Sequence, residues 1–322
     1  MTTVLLIGAS GYLGRHVARA LDEHPADLDV VAPRRSACDL VHAPVAELEQ
    51  MLRAVGPQVV ITCMGRLDGS CSELVEANTL TTAKLLDALA VVPARLVRVG
   101  SAGEYGTVPV GRPVDEEMPT SPVGAYGASH LAATTLVEQA RGSGRVDAVS
   151  LRVFNPIGSG LNGDTVLGRA ALSIREAHDA GASQVHLGPL DAFRDFVDAR
   201  DVADAVVAAA TGSQPWGTIN IGSGRATRVR EAVRLLADVA GFQGDIIEAP
   251  ASPSRSAGVT WIQADIGRAR EALGWSPQRS LAESVGQVWN DVAASRGHRD
   301  PGAEQPNERP SVTATASERT SA

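Results

Sequence analysis

The chain has 322 residues, 44% hydrophobic and 20% charged, which suits one large or two coupled globular domains and argues against disorder for its body. A formal net charge of −8 provides no basic field for a phosphate backbone, so nucleic acid is a poor partner. No run approaches the ~20 apolar residues of a membrane helix, and MTTVLLIGAS lacks the charged start of a secretory signal, so a cytoplasmic location is expected. Cys38, Cys63 and Cys71 are odd in number and lack CxxC spacing, which suggests neither a disulfide framework nor a metal site.

In chain order, TVLLIGASGYLGRHVARAL opens with the apolar run Val4–Ile7, passes through glycines, and continues with Leu13, Val17 and Leu21 at helical spacing. This predicts strand, tight loop and helix. LDVVAP reads as a second strand, VAELEQMLRAVG as an amphipathic helix closed by Gly56, and QVVITCMG as a buried strand. A helix around VEANTLTTAKLLDAL, a strand in RLVRVGS, a helix from about Tyr126 to Arg141 and a strand in DAVSLRVF follow. Strands alternating with helices of this length predict an α/β fold: a doubly wound, Rossmann-type parallel sheet covered on both faces. Beyond Asn155 the alternation loosens through helices in TVLGRAALSIREAHDAG, DARDVADAVVAAAT and RVREAVRLLADVAG and a strand in GTINIGSG. The expected organisation is a dinucleotide-binding domain over 1–160 plus 195–222, a smaller C-terminal substrate-binding lobe over 161–194 plus 223–296, and a disordered tail over 297–322, where the sequence turns polar and rich in Pro, Ser, Thr and Glu.

Gly8, Gly11 and Gly14 stand directly after the first strand, where glycine permits a tight turn and close approach to a pyrophosphate at a helix N-terminus. Ser10, Tyr12 and Leu13 complete the predicted cradle. The second strand runs out as Val30, Val31, Ala32, Pro33, Arg34, Arg35, with two guanidiniums and no carboxylate, so Arg34 and Arg35 favour the 2′-phosphate of NADP, with NAD possible. Asp39 and Leu40 are placed near the adenine.

The glycine loop, VGSAGEYG and YGASH together resemble the extended short-chain dehydrogenase/reductase family, also called the NAD-dependent epimerase/dehydratase family, over nearly everything up to about residue 295. LRVFNPIGSG, LGPLDAFRDFVDARDVADAV and INIGSG look most like its GDP-4-keto-6-deoxymannose reductases. The resemblance implies a catalytic set of Ser101, Tyr126 as acid/base, and His130. It also implies Ser101, Asn155 and Arg194 as substrate contacts, a nucleotide-sugar substrate and a homodimer. Family dehydratases carry acids after the serine or before the tyrosine; Ala102 and Gly103 stand there instead, and Glu104 is one residue out of register.

The departure is at 130, where relatives have lysine. A histidine four residues after Tyr126 shares its helix face and points at the cofactor, but with a reference pKa near 6.5 it should carry charge only about a quarter of the time near pH 7. Forming a phenolate to oxidise an alcohol would suffer; donating a proton to a reduced ketone would not. The expected activity is therefore NAD(P)H-dependent 4-ketoreduction of a nucleotide-linked 4-keto-6-deoxyhexose. The alternatives are a 4-epimerase with tightly bound NAD, and a redox-inactive dinucleotide-binding protein.

Overall fold

The computed structural model describes residues 1–36, 39–212, 216–248 and 258–294; Cys38 and the expected tail over 297–322 lie outside them. The first half runs β1 (Thr2–Ile7), α1 (Tyr12–Asp22), β2 (Leu28–Val31), α2 (Val45–Val55), β3 (Val59–Thr62), α3 (Cys71–Leu74), a π-helical segment (Val75–Leu80), α4 (Thr81–Val91), β4 (Arg95–Ser101), a 3-10 turn (Ala102–Glu104), α5 (Ala125–Gly142) and β5 (Ala148–Val153). The second half runs β6 (Asn155–Ile157), α6 (Val166–Ala180), β7 (Gln184–Leu187), β8 (Phe193–Arg194), β9 (Phe196–Asp198), α7 (Ala199–Thr211), β10 (Thr218–Ile221), β11 (Thr227–Arg228), α8 (Val229–Ala240), β12 (Asp245–Glu248), α9 (Gly267–Leu273) and α10 (Leu281–Ala294).

Six parallel strands form the sheet in the order β2-β1-β3-β4-β5-β10. Side chains alternate between its faces. Val4 and Leu6 of β1, with Val97 and Val99 of β4, join Val17 and Leu21 of α1 and Val202 and Val206 of α7 in one core. Leu5 and Ile7, with Leu96 of β4, join Leu48 and Leu52 of α2, Leu85 and Leu89 of α4, and Val137 of α5 in the other. By the same parity Arg98 and Gly100 of β4 and Ser150 and Arg152 of β5 face α5, and the register pairs Arg98 with Ser150 and Gly100 with Arg152. The α5 side of the sheet thus changes from apolar to polar toward the carboxyl ends of β4 and β5.

Successive connections diverge between β1 and β3, opening the crevice in which doubly wound sheets bind ligands. A third core joins Leu167, Ile174, Leu187, Val233, Leu236, Val285 and Val288, so α6, α8 and α10 pack on one another beside the sheet. The parallel β7/β12 ribbon flanks this lobe, while β6/β9 and β8/β11 connect it to the sheet. No described helix is long and apolar enough to cross a membrane.

Candidate active site

The loop after β1 is built by glycines that nothing larger can replace. Gly8 has φ +85, and a Cβ there would stand 3.1 Å from the Cys63 carbonyl carbon and the Met64 nitrogen, because β1 and β3 run side by side into the loop. At Gly14 a Cβ would lie 1.9 Å from the Gly8 carbonyl oxygen, so the first turn of α1 sits on the loop. Gly11 caps α1 without a side-chain bond, Ser10 and Gly11 are exposed, and the first turn holds no acidic side chain. Unpaired N–H groups and the positive helix end therefore face outward, which fits a dinucleotide pyrophosphate. The side chains of Tyr12 and Leu13 turn inward: Leu13 packs into the sheet core, and the Tyr12 hydroxyl is buried with no hydrogen-bond partner among the described residues, its pKa driven up by desolvation and by Asp198 and Asp291.

The end of β2 differs from the sequence expectation of two guanidiniums without a carboxylate. Arg34 is exposed, but Arg35 donates to Asp39 at 3.2 Å, and the same carboxylate binds the His42 ring at 3.1 Å. Burial of Leu40 in the α2 core brings Asp39 back beside Arg35, and its hydrogen bond to His42, ahead of that to Arg35, holds its pKa below the usual carboxylate value. The Leu40 side chain itself faces the core rather than a ligand.

Ser101 ends β4 and Tyr126 lies in the first turn of α5, and Gly103 brings them together. A Cβ on Gly103 would stand 3.3 Å from both Ser101 Oγ and Tyr126 Cε1, and one on Gly127 would lie 2.3 Å from the Gly103 carbonyl oxygen. Two glycines thus allow α5 to press onto the 3-10 turn. Ser101 Oγ accepts from the Gly103 N–H at 3.1 Å, which leaves its own proton for donation. Tyr105 is buried, with its hydroxyl on Asn220 Oδ1 at 2.7 Å, and desolvation pushes its pKa up to about 12. Glu104 is wholly buried, accepting from Arg152 Nε at 2.8 Å and from the Thr134 hydroxyl at 2.9 Å, so it turns away from the Ser101–Tyr126 cleft.

His130 lies beside Tyr126, ring centroids 4.7 Å apart, with its Nε2 edge near Gly65 in the loop after β3. Its expected partial charge is corrected by the structure. His130 is 4% exposed, and its Nδ1 lies 3.0 Å from a guanidinium nitrogen of Arg98. Desolvation, and then the Arg98 charge, lower its pKa well below the ordinary histidine value. Guanidinium can only donate, so Nδ1 is the acceptor and the proton of the neutral ring sits on Nε2. Arg98 escaped the sequence reading, although an arginine inside RLVRVGS, a run read as a strand of a sheet covered on both faces, was a visible anomaly.

On the opposite side of the cleft, Asn155 donates through Nδ2 to the Asp195 carbonyl oxygen at 3.1 Å. Asp195 does not pair with Arg194: its carboxylate accepts from the N–H groups of Ser223, Gly224 and Ala264 and from the Ser223 hydroxyl. Arg194 reaches only the Phe193 carbonyl, at 2.9 Å, and forms no ion pair among the described residues, while burial lowers its pKa. A partly desolvated guanidinium without a carboxylate is suited to an anionic ligand.

A Rossmann-type sheet with a glycine loop after its first strand, and a serine and tyrosine converging beside it, define a dinucleotide-dependent α/β oxidoreductase. Residues 4–222 match the NAD dependent epimerase/dehydratase family. The chain belongs to that family, and so to the extended short-chain dehydrogenases/reductases. It is 37% identical over 299 residues to the dTDP-6-deoxy-L-talose 4-dehydrogenase (NAD(P)(+)) of Kitasatospora kifunensis, covering 89% of this chain and 94% of the relative. It is 29% identical over 221 residues to the GDP-6-deoxy-D-mannose reductase of Pseudomonas aeruginosa, covering 67% and 72%. The structure of RMD from Pseudomonas aeruginosa complexed with NADPH superposes with a TM-score of 0.81 at 25% identity, covering 91% of this chain and all of that one. Its relatives include a nucleotide-sugar 4-dehydrogenase, a reductase and 4-epimerases.

Proposed function

We propose that the protein interconverts a ketone and a hydroxyl at C4 of a nucleotide-linked 6-deoxyhexose, working as an NADPH- or NADH-dependent 4-ketoreductase. The observation that carries this is the convergence of the Ser101 hydroxyl and the Tyr126 ring on Gly103. The similarity to a 6-deoxy-talose 4-dehydrogenase supports it, because that reaction run backwards is a 4-ketone reduction.

The loop of Gly8, Gly11 and Gly14 holds the dinucleotide, with Arg34, Arg35 and Asp39 near its adenosine end and the Nε2–H of His130 near its nicotinamide ribose. A reduced nicotinamide bound there would supply the hydride to C4. Ser101 donates a hydrogen bond to the carbonyl oxygen, and Tyr126 gives that oxygen its proton as negative charge develops on it. The phenolate left behind recovers its proton from solvent before the next turnover. Asn155 positions the substrate, and Arg194 binds its diphosphate. Glu104, turned from the cleft and bonded to Arg152, does not serve the proton transfers of a dehydratase. We read the protein as cytoplasmic, serving deoxysugar or secondary-metabolite biosynthesis, and as a homodimer that buries the exposed Val75, Leu80 and Leu136 of the π-helical segment and α5.

The test is loss of reduced-nicotinamide absorbance when the purified protein meets NADPH or NADH with dTDP- or GDP-linked 4-keto-6-deoxyhexose. Consumption of cofactor with formation of the 4-hydroxy sugar is expected, and Tyr126→Phe should lower kcat by roughly two orders of magnitude or more. No consumption with any nucleotide, alongside an active control reductase, overturns the reading. Inversion at C4 of a nucleotide hexose without net cofactor consumption would identify an epimerase instead.

A further inference from the structure

Arg98 is an improbable residue where it stands. Its guanidinium, 2% exposed, lies between β4, β5 and α5. The partners within hydrogen-bond reach are neutral: the hydroxyls of Thr134 and Ser150, each 3.0 Å from Nη1, and His130 Nδ1, 3.0 Å from Nη2. Among the described residues no carboxylate lies within ion-pair distance; the nearby Glu104 is bonded directly to Arg152. A guanidinium keeps its proton at any ordinary pH, so this is a buried charge without a direct counter-ion, an arrangement that costs stability unless something offsets it.

The surrounding charges do not cancel. Two guanidiniums, Arg98 on β4 and Arg152 on β5, face the carboxylate of Glu104 on the 3-10 turn, which bonds Arg152 directly and acts on Arg98 without a direct bond. Ser150 and Thr134 are neutral, as are Asn78 of the π-helical segment, which is bonded to Ser129 and the Arg66 backbone, and the buried Tyr105. The chain's only lysine, Lys84, is engaged elsewhere, on the Val41 carbonyl at 2.7 Å.

We propose that Arg98 is the cation of this active site: acting across the neutral His130 ring it stabilises the Tyr126 phenolate, and it fixes the His130 tautomer so that Nε2–H faces the ligand. Arg98 is a positioning residue, since it touches His130 and not the ligand, and together the two take the place of the lysine found in relatives. The proposal rests on the reading of Tyr126 as the acid/base group. Desolvation lowers the pKa of Arg98, while Glu104 and then a Tyr126 phenolate push it back up, so the coupling to Tyr126 is mutual. A consequence is that the site supports alcohol oxidation as well as ketone reduction, because the phenolate form is not left without a cation.

The test needs neither substrate nor cofactor. The chain has three tyrosines; burial holds Tyr105 up to about 12 and Tyr12 higher still, so tyrosinate absorbance appearing below that range belongs to Tyr126. The whole chain is titrated as wild type, Tyr126→Phe, Arg98→Met and Arg98→Lys. One tyrosinate is expected in the wild type with a midpoint below the free-tyrosine value near 10, and none in Tyr126→Phe. Arg98→Met should raise the midpoint by about one to two pH units, the shift from a unit charge ~8 Å away at an effective dielectric near 20, and Arg98→Lys should restore most of it. An unchanged midpoint in a folded Arg98→Met protein overturns the proposal. Should that variant not fold, nitrogen NMR of the wild-type histidines decides: His130 protonated on Nε2 alone, from about pH 5 to 8, supports the proposal, and any Nδ1-protonated or doubly protonated form overturns it. Turnover of a nucleotide sugar with an unchanged midpoint would sink this proposal and leave the functional reading standing. A shifted midpoint without turnover would do the reverse.

Discussion

Restoring the family's lysine should harm this protein. In His130→Lys an ammonium enters the space of a ring whose Nδ1 is 3.0 Å from the Arg98 guanidinium. Two unit charges ~4 Å apart at an effective dielectric near 20 repel by about 4 kcal/mol. Glu104 relieves part of this, and the lysine can relieve more by losing its proton, at the expense of the charge it was meant to bring. A net loss of about 2 to 4 kcal/mol is expected, which lowers Tm by roughly 4 to 10 °C for a chain of this size. Arg98→Met alone leaves Thr134, Ser150 and His130 without their donor, for a loss of about 2 to 3 kcal/mol.

The two losses should not add. In His130→Lys/Arg98→Met the repulsion is gone and the single cation stands beside Tyr126, so the double variant should be more stable than the sum by about 2 kcal/mol or more. Denaturant unfolding of all four proteins, with the oxidation rate of a nucleotide 6-deoxyhexose as a second readout, measures the coupling. Additivity within about 0.5 kcal/mol, or a His130→Lys protein as stable as the wild type, would refute a charged Arg98 in contact with residue 130.

Gly14→Ala should abolish dinucleotide binding in fluorescence titrations, since its Cβ would sit 1.9 Å from the Gly8 carbonyl oxygen and force the loop off α1. Arg194→Ala should raise KM for the nucleotide sugar by about tenfold or more, one lost charge-assisted contact, with cofactor affinity unchanged. An equal loss of cofactor affinity would place Arg194 elsewhere. His130 has a depressed pKa in the folded state, so its contribution to stability is present above the unfolded value near 6.5 and is lost as pH falls, because the unfolded chain takes up a proton that the folded one refuses. His130→Asn should flatten the stability profile below about pH 6.5. Identical profiles would show that the folded ring does protonate.

What could be read from the chain was local pattern. Val17 and Leu21 mark the buried stripe of α1, and Gly56 closes α2 with φ +61, as its place after an amphipathic run implies. Less legible were pairings between distant short segments. Gln184–Leu187 and Asp245–Glu248 form a two-stranded ribbon whose members lie some 60 residues apart and carry only four residues each. The π-helical turn at Val75–Leu80 reads in sequence as ordinary helix, and α9 and α10 have no strand between them to announce them. At the site, the spacing of Ser101, Tyr126 and His130 was plain, but the ionisation of His130 was not, because it depends on burial and on a guanidinium 32 residues away. Likewise Asp39 reaches Arg35 only because Leu40 turns into the core.

The histidine and the arginine belong together, and each makes sense of the other. A lysine at position 130 would do two things from one side chain: bond the ribose and carry a charge. With Arg98 as the cation, the charge would come from the β4 face that meets α5, and the bond from the helix. An uncharged residue at 130 accommodates a buried cation behind it, which a lysine would oppose. The charge also comes from a group that cannot lose its proton, whereas a buried lysine can. On this view the exchange does not mark a weakened active site. Its acid/base tyrosine keeps a cation of fixed charge, protected from solvent by the imidazole, and a bias toward reduction inferred from losing the lysine falls away.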